Sequence, residues 1–304
     1  MLENSHHLGL TNIRGVNKKY MIKFDISIIL VVKNGAETLK LALDALLLQK
    51  EIKFEVILVD GGSSDESVHI FHHFNYANKK YINNTNELNV VDSIRKGFHS
   101  SSGALILTIG HDDILYDSMW LYKCKKILDS NLNVALISGR SLSIDSNFQP
   151  YALNPPFKSV LFDGIYSHLG VVLTGRIPND INAVIRREVF DCCFPFSDDN
   201  LTAITVAHHY FYINFFKNNF EYLFLPFIAN KSIDMRINKN RRSVKYKSIE
   251  DKERLRVKIA IAKLLFLNIE NYRYKISFLL IFKYFLFSLL NNSTKVVGRL
   301  LPLK

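Results

Sequence analysis

Two adjacent carboxylates, Asp112 and Asp113, stand directly behind an apolar run in the stretch ALILTIGHDDILY, Ala104 to Tyr116. Like charges this close repel, and the pairing is costly unless water, hydrogen bonds or a cation offsets it. Acids on such a loop suit a hard divalent ion. Mg2+ or Mn2+ commonly takes one or two protein carboxylates and completes its octahedron with phosphate oxygens and water. A cation held there would bridge a diphosphate and stabilise it as a leaving group. The bland alternative is a solvated loop in which Asp113 caps the next helix. A second stretch, VDGGSSDES, Val59 to Ser67, ends another apolar run at Asp60. Gly61 and Gly62 permit a tight turn and close approach of a ligand to the backbone. Ser63 and Glu66 have capping-box spacing for a following helix. A capped strand–turn–helix junction explains those four residues. It leaves Asp60 over, with its carboxylate expected to face a crevice.

The elements that must position these acids are legible as apolar runs of strand length. They are Ile26–Val32, Phe54–Asp60, Ala104–Ile109 and Val134–Ser138. Between them lie helical patterns at Ala36–Gln49, Asp65–Phe74, Val90–Ser100 and Asp117–Asn131. Strands without polar alternation, separated by helices, indicate a mostly parallel sheet covered on both faces. In such sheets the ligand site lies beyond the carboxyl ends of the strands. Asp60, Asp112 and Asp113 are therefore expected to border one crevice. Past residue 140 the pattern loosens. Ile181–Arg187 and Tyr222–Phe227 read as strands, and Ala203–Asn219 as an aromatic-rich helix. A basic link follows at Lys231–Arg242, then apolar helical stretches at Lys252–Leu267 and Lys275–Leu290.

Apolar residues make up 48% of the 304, enough for a sizeable core and against global disorder. Three cysteines, Cys124, Cys192 and Cys193, without CxxC spacing, support neither a disulfide framework nor a zinc site. A reduced, cytosolic chain is the expectation. No apolar h-region follows a basic n-region, so no signal peptide is expected. Residues 1–21 read as an irregular extension, with Met1 or Met21 as the start. The net charge of +11 is uneven. Residues 231–304 hold 18 basic and 5 acidic side chains, a net of +13, against 21 and 23 in the remainder, a net of −2. A basic tail on a neutral body implies an anionic partner surface. The run Ile276–Leu290 is about 15 residues, short of the ~20 that span a bilayer, with Lys283 at its middle. It suits an interfacial helix on a membrane rather than a span. Nucleic acid is not the expected partner, because the tail's aromatics cluster inside apolar runs instead of interleaving with basic residues.

Taken together the motifs are more specific than either alone. SIILVVKNGAETLKLALDALLLQ, VILVDGGSSDES and NELNVVDSIRKGFHSSSGALILTIGHDDIL follow in order. This resembles the family 2 glycosyltransferases of GT-A fold, strongly over Asp25–Tyr116 and weakly to about residue 230. The resemblance implies an α/β protein of GT-A type, a mostly parallel sheet flanked by helices, here with a helical C-terminal tail. It implies a donor-binding half at 22–116 and an acceptor-binding half at 117–230, and it does not reach the tail at 231–304, whose charge and apolar runs are what suggest membrane association. Asp60 then looks like the acid that contacts the base or ribose of a sugar nucleotide, with Gly61 beside it. Asp92 looks like a further nucleotide-side acid. Lys33 and Asn34 lie in the first loop close to the nucleotide. Asp112 and Asp113 look like the metal-binding pair, Asp113 the more direct ligand of Mg2+ or Mn2+. The implied reaction is inverting transfer of a sugar from a nucleotide diphosphate to an acceptor hydroxyl.

The chain departs from the family in one segment. Where relatives resemble a GgFDe turn followed by aaDydlllR, this sequence reads FPFSDDNLTAITVAHHYFYINFF, Phe194 to Phe216. The aspartate position falls on His208 or His209. Three readings stay open: a histidine is the base, since its ordinary pKa near 6.5 suits proton abstraction; Asp198 or Asp199 serves instead; or the base is lost. A further departure puts Glu87 and Asn89 where relatives have aspartate and glycine. The expectation is a metal-dependent transferase, peripheral on the cytoplasmic face of the cell membrane, acting on a sugar or lipid-linked acceptor in surface polysaccharide assembly. The alternative is a nucleotide-sugar-binding pseudoenzyme that serves as a scaffold.

Overall fold

In the computed structural model, the residues described are 21–85, 90–145, 147–154, 164–166, 182–194, 207, 211–212, 214–215, 218 and 220–233. The order begins β1 (Phe24–Val32), α1 (Ala36–Leu47), β2 (Phe54–Asp60), α2 (Ser67–His73), β3 (Lys79–Asn83), α3 (Val90–His99) and β4 (Gly103–Gly110). It continues β5 (Asp113–Leu115), α4 (Trp120–Ser130), β6 (Val134–Ile144), β7 (Pro150–Asn154) and β8 (Gly164–Tyr166). It closes with β9 (Val184–Arg186), α5 (Arg187–Cys193) and β10 (Glu221–Ile233). One sheet runs β3-β2-β1-β4-β9-β6-β10-β5, with β7 beside β6 and β8 beside β10. β3, β2, β1 and β4 are mutually parallel. β9 lies antiparallel between β4 and β6 and ties the two halves into a single sheet.

The apolar runs form strands because both faces are covered. Ile28, Leu30 and Leu58 point into a core with Leu39, Leu43 and Leu46 of α1, Phe71 of α2 and Trp120 of α4. Ile29, Ile57 and Val59 point the other way, onto Ile94 and Phe98 of α3, Phe190 of α5 and the aromatics Phe211 and Phe215. Alternate residues thus feed two cores, and no polar alternation can survive.

The structure corrects several sequence expectations. β3 was hidden in KKYIN, whose half-exposed edge position lacks the apolar signature. β6 runs on to Ile144, past Ser138, because its polar second half is paired by β7 and β10. β10 continues to Ile233, so Lys231–Ile233 belong to a strand rather than to the basic link. Helical residues 207, 211–212 and 214–215 lie within the expected aromatic helix. The extension 1–20 and residues 234–304, with both expected tail helices, lie outside the described residues. Among the described residues no helix is long and apolar enough to cross a membrane.

Candidate active site

The parallel register aligns the strand ends. Val32 pairs with Asp60, Asp60 with Asn83, and Val31 with Gly110. The loops after β1, β2, β3 and β4 therefore open side by side at one edge of the sheet.

The first two loops are stitched together by side chains from the second. Ser63 Oγ accepts the Asn34 amide (2.9 Å), Ser67 Oγ accepts that of Gly35 (2.9 Å), and an Asp65 oxygen accepts that of Ala36 (3.0 Å). In return Asn34 Oδ1 accepts the Ser64 amide at 2.8 Å. The N-terminus of α1 is thus capped from the loop after β2, where its own sequence offers only Gly35. Asn34 takes φ 53° and Gly62 φ 80° to make these turns. Burial pushes the Asp65 carboxyl upward, but the Ser67 hydroxyl and the amides of Ala36 and Ser67 outweigh it, so its pKa lies below the usual value. Lys33 Nζ donates to the Gly61 carbonyl (2.8 Å), so Lys33 braces the two loops.

Asp60 is 2% exposed. Its carboxylate accepts the Ser63 amide at 3.0 Å, the Ser63 hydroxyl at 2.6 Å and the Tyr81 hydroxyl at 3.3 Å. Burial and the adjacent Asp60 charge raise the pKa of Tyr81, keeping it the donor. The expected capping box is absent. Ser63 spends its hydroxyl on Asp60, α2 begins at Ser67 without a side-chain cap from Glu66, and Asp65 takes the Ser67 amide instead.

Asp92, 6% exposed, joins this edge through Asn84. The Asn84 amide donates to the Asp60 carbonyl (2.8 Å), and Lys96 Nζ donates to Asn84 Oδ1 (2.5 Å). Lys96 and Arg95 flank Asp92 at 3.6 and 3.2 Å. Arg95 and Lys96 thus form an ion-pair cluster with Asp92.

The acidic pair sits beyond β4. Asp113 is 7% exposed and opens β5, and its Oδ2 accepts the Gly110 amide at 2.9 Å. It does not cap the next helix, which starts at Trp120, with the Met119 amide on Asp117 Oδ1. A methyl group added to Gly110 would lie 2.7 Å from Asp112 Oδ1 and 3.2 Å from Asp113 Oδ2. The two carboxylates thus converge over the bare α-carbon of Gly110. Two oxygen-donor groups beside a cradle that only glycine leaves open fit a hard divalent cation with most of its shell left for phosphate and water. Among the described residues no cluster of three or more metal-ligating side chains occurs. The backbone of the pair is anchored to β10: Ile233 N–H donates to the Asp112 carbonyl at 2.9 Å, and Ser232 lies opposite Asp113.

Sequence reasoning passed over His111, Thr38, Asn84 and Tyr81. His111 Nδ1 lies 2.7 Å from Thr38 Oγ1, and its ring packs on Gly35, locking the β4 turn to α1. The histidine's place between glycine and the acids was the available signal. His208, His209, Asp198 and Asp199 lie outside the described residues.

Residues 27–194 match the family model of glycosyl transferase family 2, and the chain belongs to that family. A PGL/p-HBAD biosynthesis glycosyltransferase of Mycobacterium bovis is 30% identical over 125 residues, 40% of this chain and 49% of that protein. The chain thus spans about half the length of the curated relatives it matches. The fold is similar to that of TarS residues 1–349 from S. aureus in complex with UDP. The TM-score is 0.56 at 15% identity, over 79% of this chain and 65% of that one. It is also similar to the mannosyltransferase PcManGT from Pyrobaculum calidifontis in complex with GDP-Man and Mn2+. There the TM-score is 0.54 at 14% identity, over 93% and 77%. The architecture is the GT-A type α/β sheet flanked by helices.

Proposed function

We propose that the protein moves a sugar from a nucleotide diphosphate to an acceptor hydroxyl with inversion. The observation that carries this is the alignment of Asp60, Asn84, Asp112 and Asp113 along the carboxyl edge of four parallel strands. The strand-end loops form one braced crevice, the place where an α/β sheet binds its ligand. Asp60 is held in place by the neutral donors Ser63 and Tyr81, facing the ribose or base side. Gly61 and Gly62 let the nucleotide approach the backbone. Asp112 and Asp113 would hold Mg2+ or Mn2+, which supplies the positive charge that stabilises a departing diphosphate. The neighbours solved with UDP, or with GDP-Man and Mn2+, support a donor of this class. The acceptor's proton goes to a base on the segment after Phe194: His208 or His209, or Asp198 or Asp199 from the preceding turn. In an inverting transfer this base stands on the acceptor side as the hydroxyl attacks the anomeric carbon.

The acceptor in this proposal is lipid-linked, in surface polysaccharide assembly on the cytoplasmic face of the membrane. The basic, apolar tail 231–304 supports an anionic membrane surface as partner, and the relatives named for PGL/p-HBAD biosynthesis are consistent with a lipid-associated substrate. A second reading is a nucleotide-sugar-binding scaffold. It is favoured by the histidines that stand where relatives have an aspartate.

Calorimetric titration with nucleoside diphosphates, with and without Mn2+, tests the donor site. One diphosphate is expected to bind only with metal, and Asp113→Ala to weaken that binding about 100-fold. Absence of binding by the wild type under every metal condition would overturn the donor-site reading. Transfer that survives loss of both histidines and both candidate aspartates would exclude all four as the base.

A further inference from the structure

Two large aromatic side chains stand out of the folded body on the edge farthest from β3. Tyr116, directly after β5, is 56% exposed, and Phe227 of β10 is 54% exposed. Tyr116 is tied to β10 two residues from Phe227, where its amide donates to the Ala229 carbonyl at 2.8 Å. Phe227 is pushed outward by a register break in β10 between Phe224 and Ile228, which lifts the intervening residues off the ladder with β6. Each ring carries a lysine. Lys231 Nζ lies 4.1 Å from the Tyr116 ring centroid, and Lys123 Nζ, ion-paired with Asp117 at 2.5 Å, lies 5.7 Å from that of Phe227.

We propose that this β5–β10 edge, with Tyr116, Phe227, Lys123 and Lys231 as its contacts, rests on an anionic phospholipid bilayer. The chemistry of the patch selects that partner. Amphipathic rings settle at head-group depth, and lysines beside them reach lipid phosphates. Juxtamembrane cations are worth about 1 kcal/mol each on an anionic leaflet. The patch is also continuous with the most basic part of the chain, because Lys231 is the first residue of the segment whose net charge is +13. The same strand end is bonded to the acidic turn through Ile233 and Asp112. Seating this edge on a bilayer brings the crevice within a few residues of the lipid surface, where a lipid-linked hydroxyl would be presented. The inference rests on the membrane reading given above. It adds that the folded body, and not the tail alone, makes contact.

The full-length chain carrying Phe227→Trp provides a local reporter, since the native tryptophan, Trp120, is fully buried in the core. Vesicles of phosphatidylcholine alone, or with phosphatidylglycerol, would be used with and without brominated lipid. Emission from position 227 is expected to shift blue and be quenched by bromine in the anionic vesicles only. In sedimentation assays Tyr116→Ser with Phe227→Ser is expected to weaken partition about tenfold, with metal-dependent diphosphate binding unchanged. If the chain sediments with anionic vesicles while position 227 stays unquenched, the patch proposal fails and the tail alone is the anchor. If the wild type does not sediment at all, both the patch and the membrane reading fail. If diphosphate binding falls with partition, the aromatics belong to the crevice, and the patch is not a separate surface.

Discussion

β2 carries a buried carboxylate at each end, and the two ends do different things. Glu55, next to the strand's start, accepts from Ser27 Oγ (2.7 Å) and from the amide and hydroxyl of Ser102 (2.5 and 2.9 Å). Lys80 Nζ sits 2.8 Å from its other oxygen. Around it Ser27 also receives the Gly103 amide, and Arg187, buried over the Phe98 ring, donates to the Gly103 carbonyl. That end ties β1, β2, β3 and β4 together with an ion pair. Asp60, at the far end, is just as buried, yet its partners among the described residues are Ser63 and Tyr81, all neutral donors. Burial of an acid therefore does not mark a functional site. Glu55 is paired with Lys80 within the protein, while Asp60 is positioned by the neutral donors Ser63 and Tyr81.

This contrast can be broken by exchanging the roles of stability and binding. Glu55→Gln is expected to cost about 2 kcal/mol in urea unfolding, because it leaves Lys80 without its counter-charge. Diphosphate affinity should be unchanged. Asp60→Asn should change unfolding by less than about 1 kcal/mol while lowering diphosphate affinity tenfold or more, about 1.4 kcal/mol. Equal losses of stability in both variants would erase the distinction. Gly110→Ala sharpens the site end: its methyl would press on both carboxylates. About a tenfold loss of metal-dependent binding is expected by calorimetry, with the fold intact by circular dichroism.

Acid titration sharpens the other end. Burial raises the Glu55 pKa, but Lys80, Ser27 and Ser102 overcome that and hold it below its ordinary value. A carboxyl lowered in the folded state contributes stability that is full above its unfolded pKa, about 4.3, and is lost as pH falls through the folded value. The urea midpoint of the wild type should therefore drop below about pH 4.3, and Glu55→Gln should flatten that drop. The smallest effect is expected from Tyr81→Phe, which removes one long hydrogen bond from Asp60. Affinity should fall about threefold or less, corresponding to less than about 1 kcal/mol.

Much of the architecture from β1 to α4 was legible in sequence. Continuous apolar runs located β1, β2 and β4 to within two residues, because strands buried on both faces have no room for polar alternation. Helices α1 to α3 were placed as closely, and α4 to within three residues. β3 was missed because an edge strand needs only one covered side. The long reach of β6 and β10 was missed because their second halves are polar and held by neighbours from distant parts of the chain. At the candidate site, Asp60 ends β2 and Asp112 and Asp113 follow β4, as the sequence pattern places them. The capping box was misassigned, because Ser63 bonds Asp60 and the Asn34 amide, and Asp65 rather than Glu66 serves the start of α2.

The sequence by itself determined the order of strands and helices and the acids that end β2 and follow β4, since local pattern and residue type are properties of contiguous chain. Only the tertiary structure decided which acids share an edge, which are neutralised and which lie over a bare glycine. Parallel register sets Asp60 level with Val32 and Asn83, and Gly110 opposite Val31, and the side chains that brace the loops come from across that register. Such pairings depend on how non-contiguous strands align, and no local spacing encodes them.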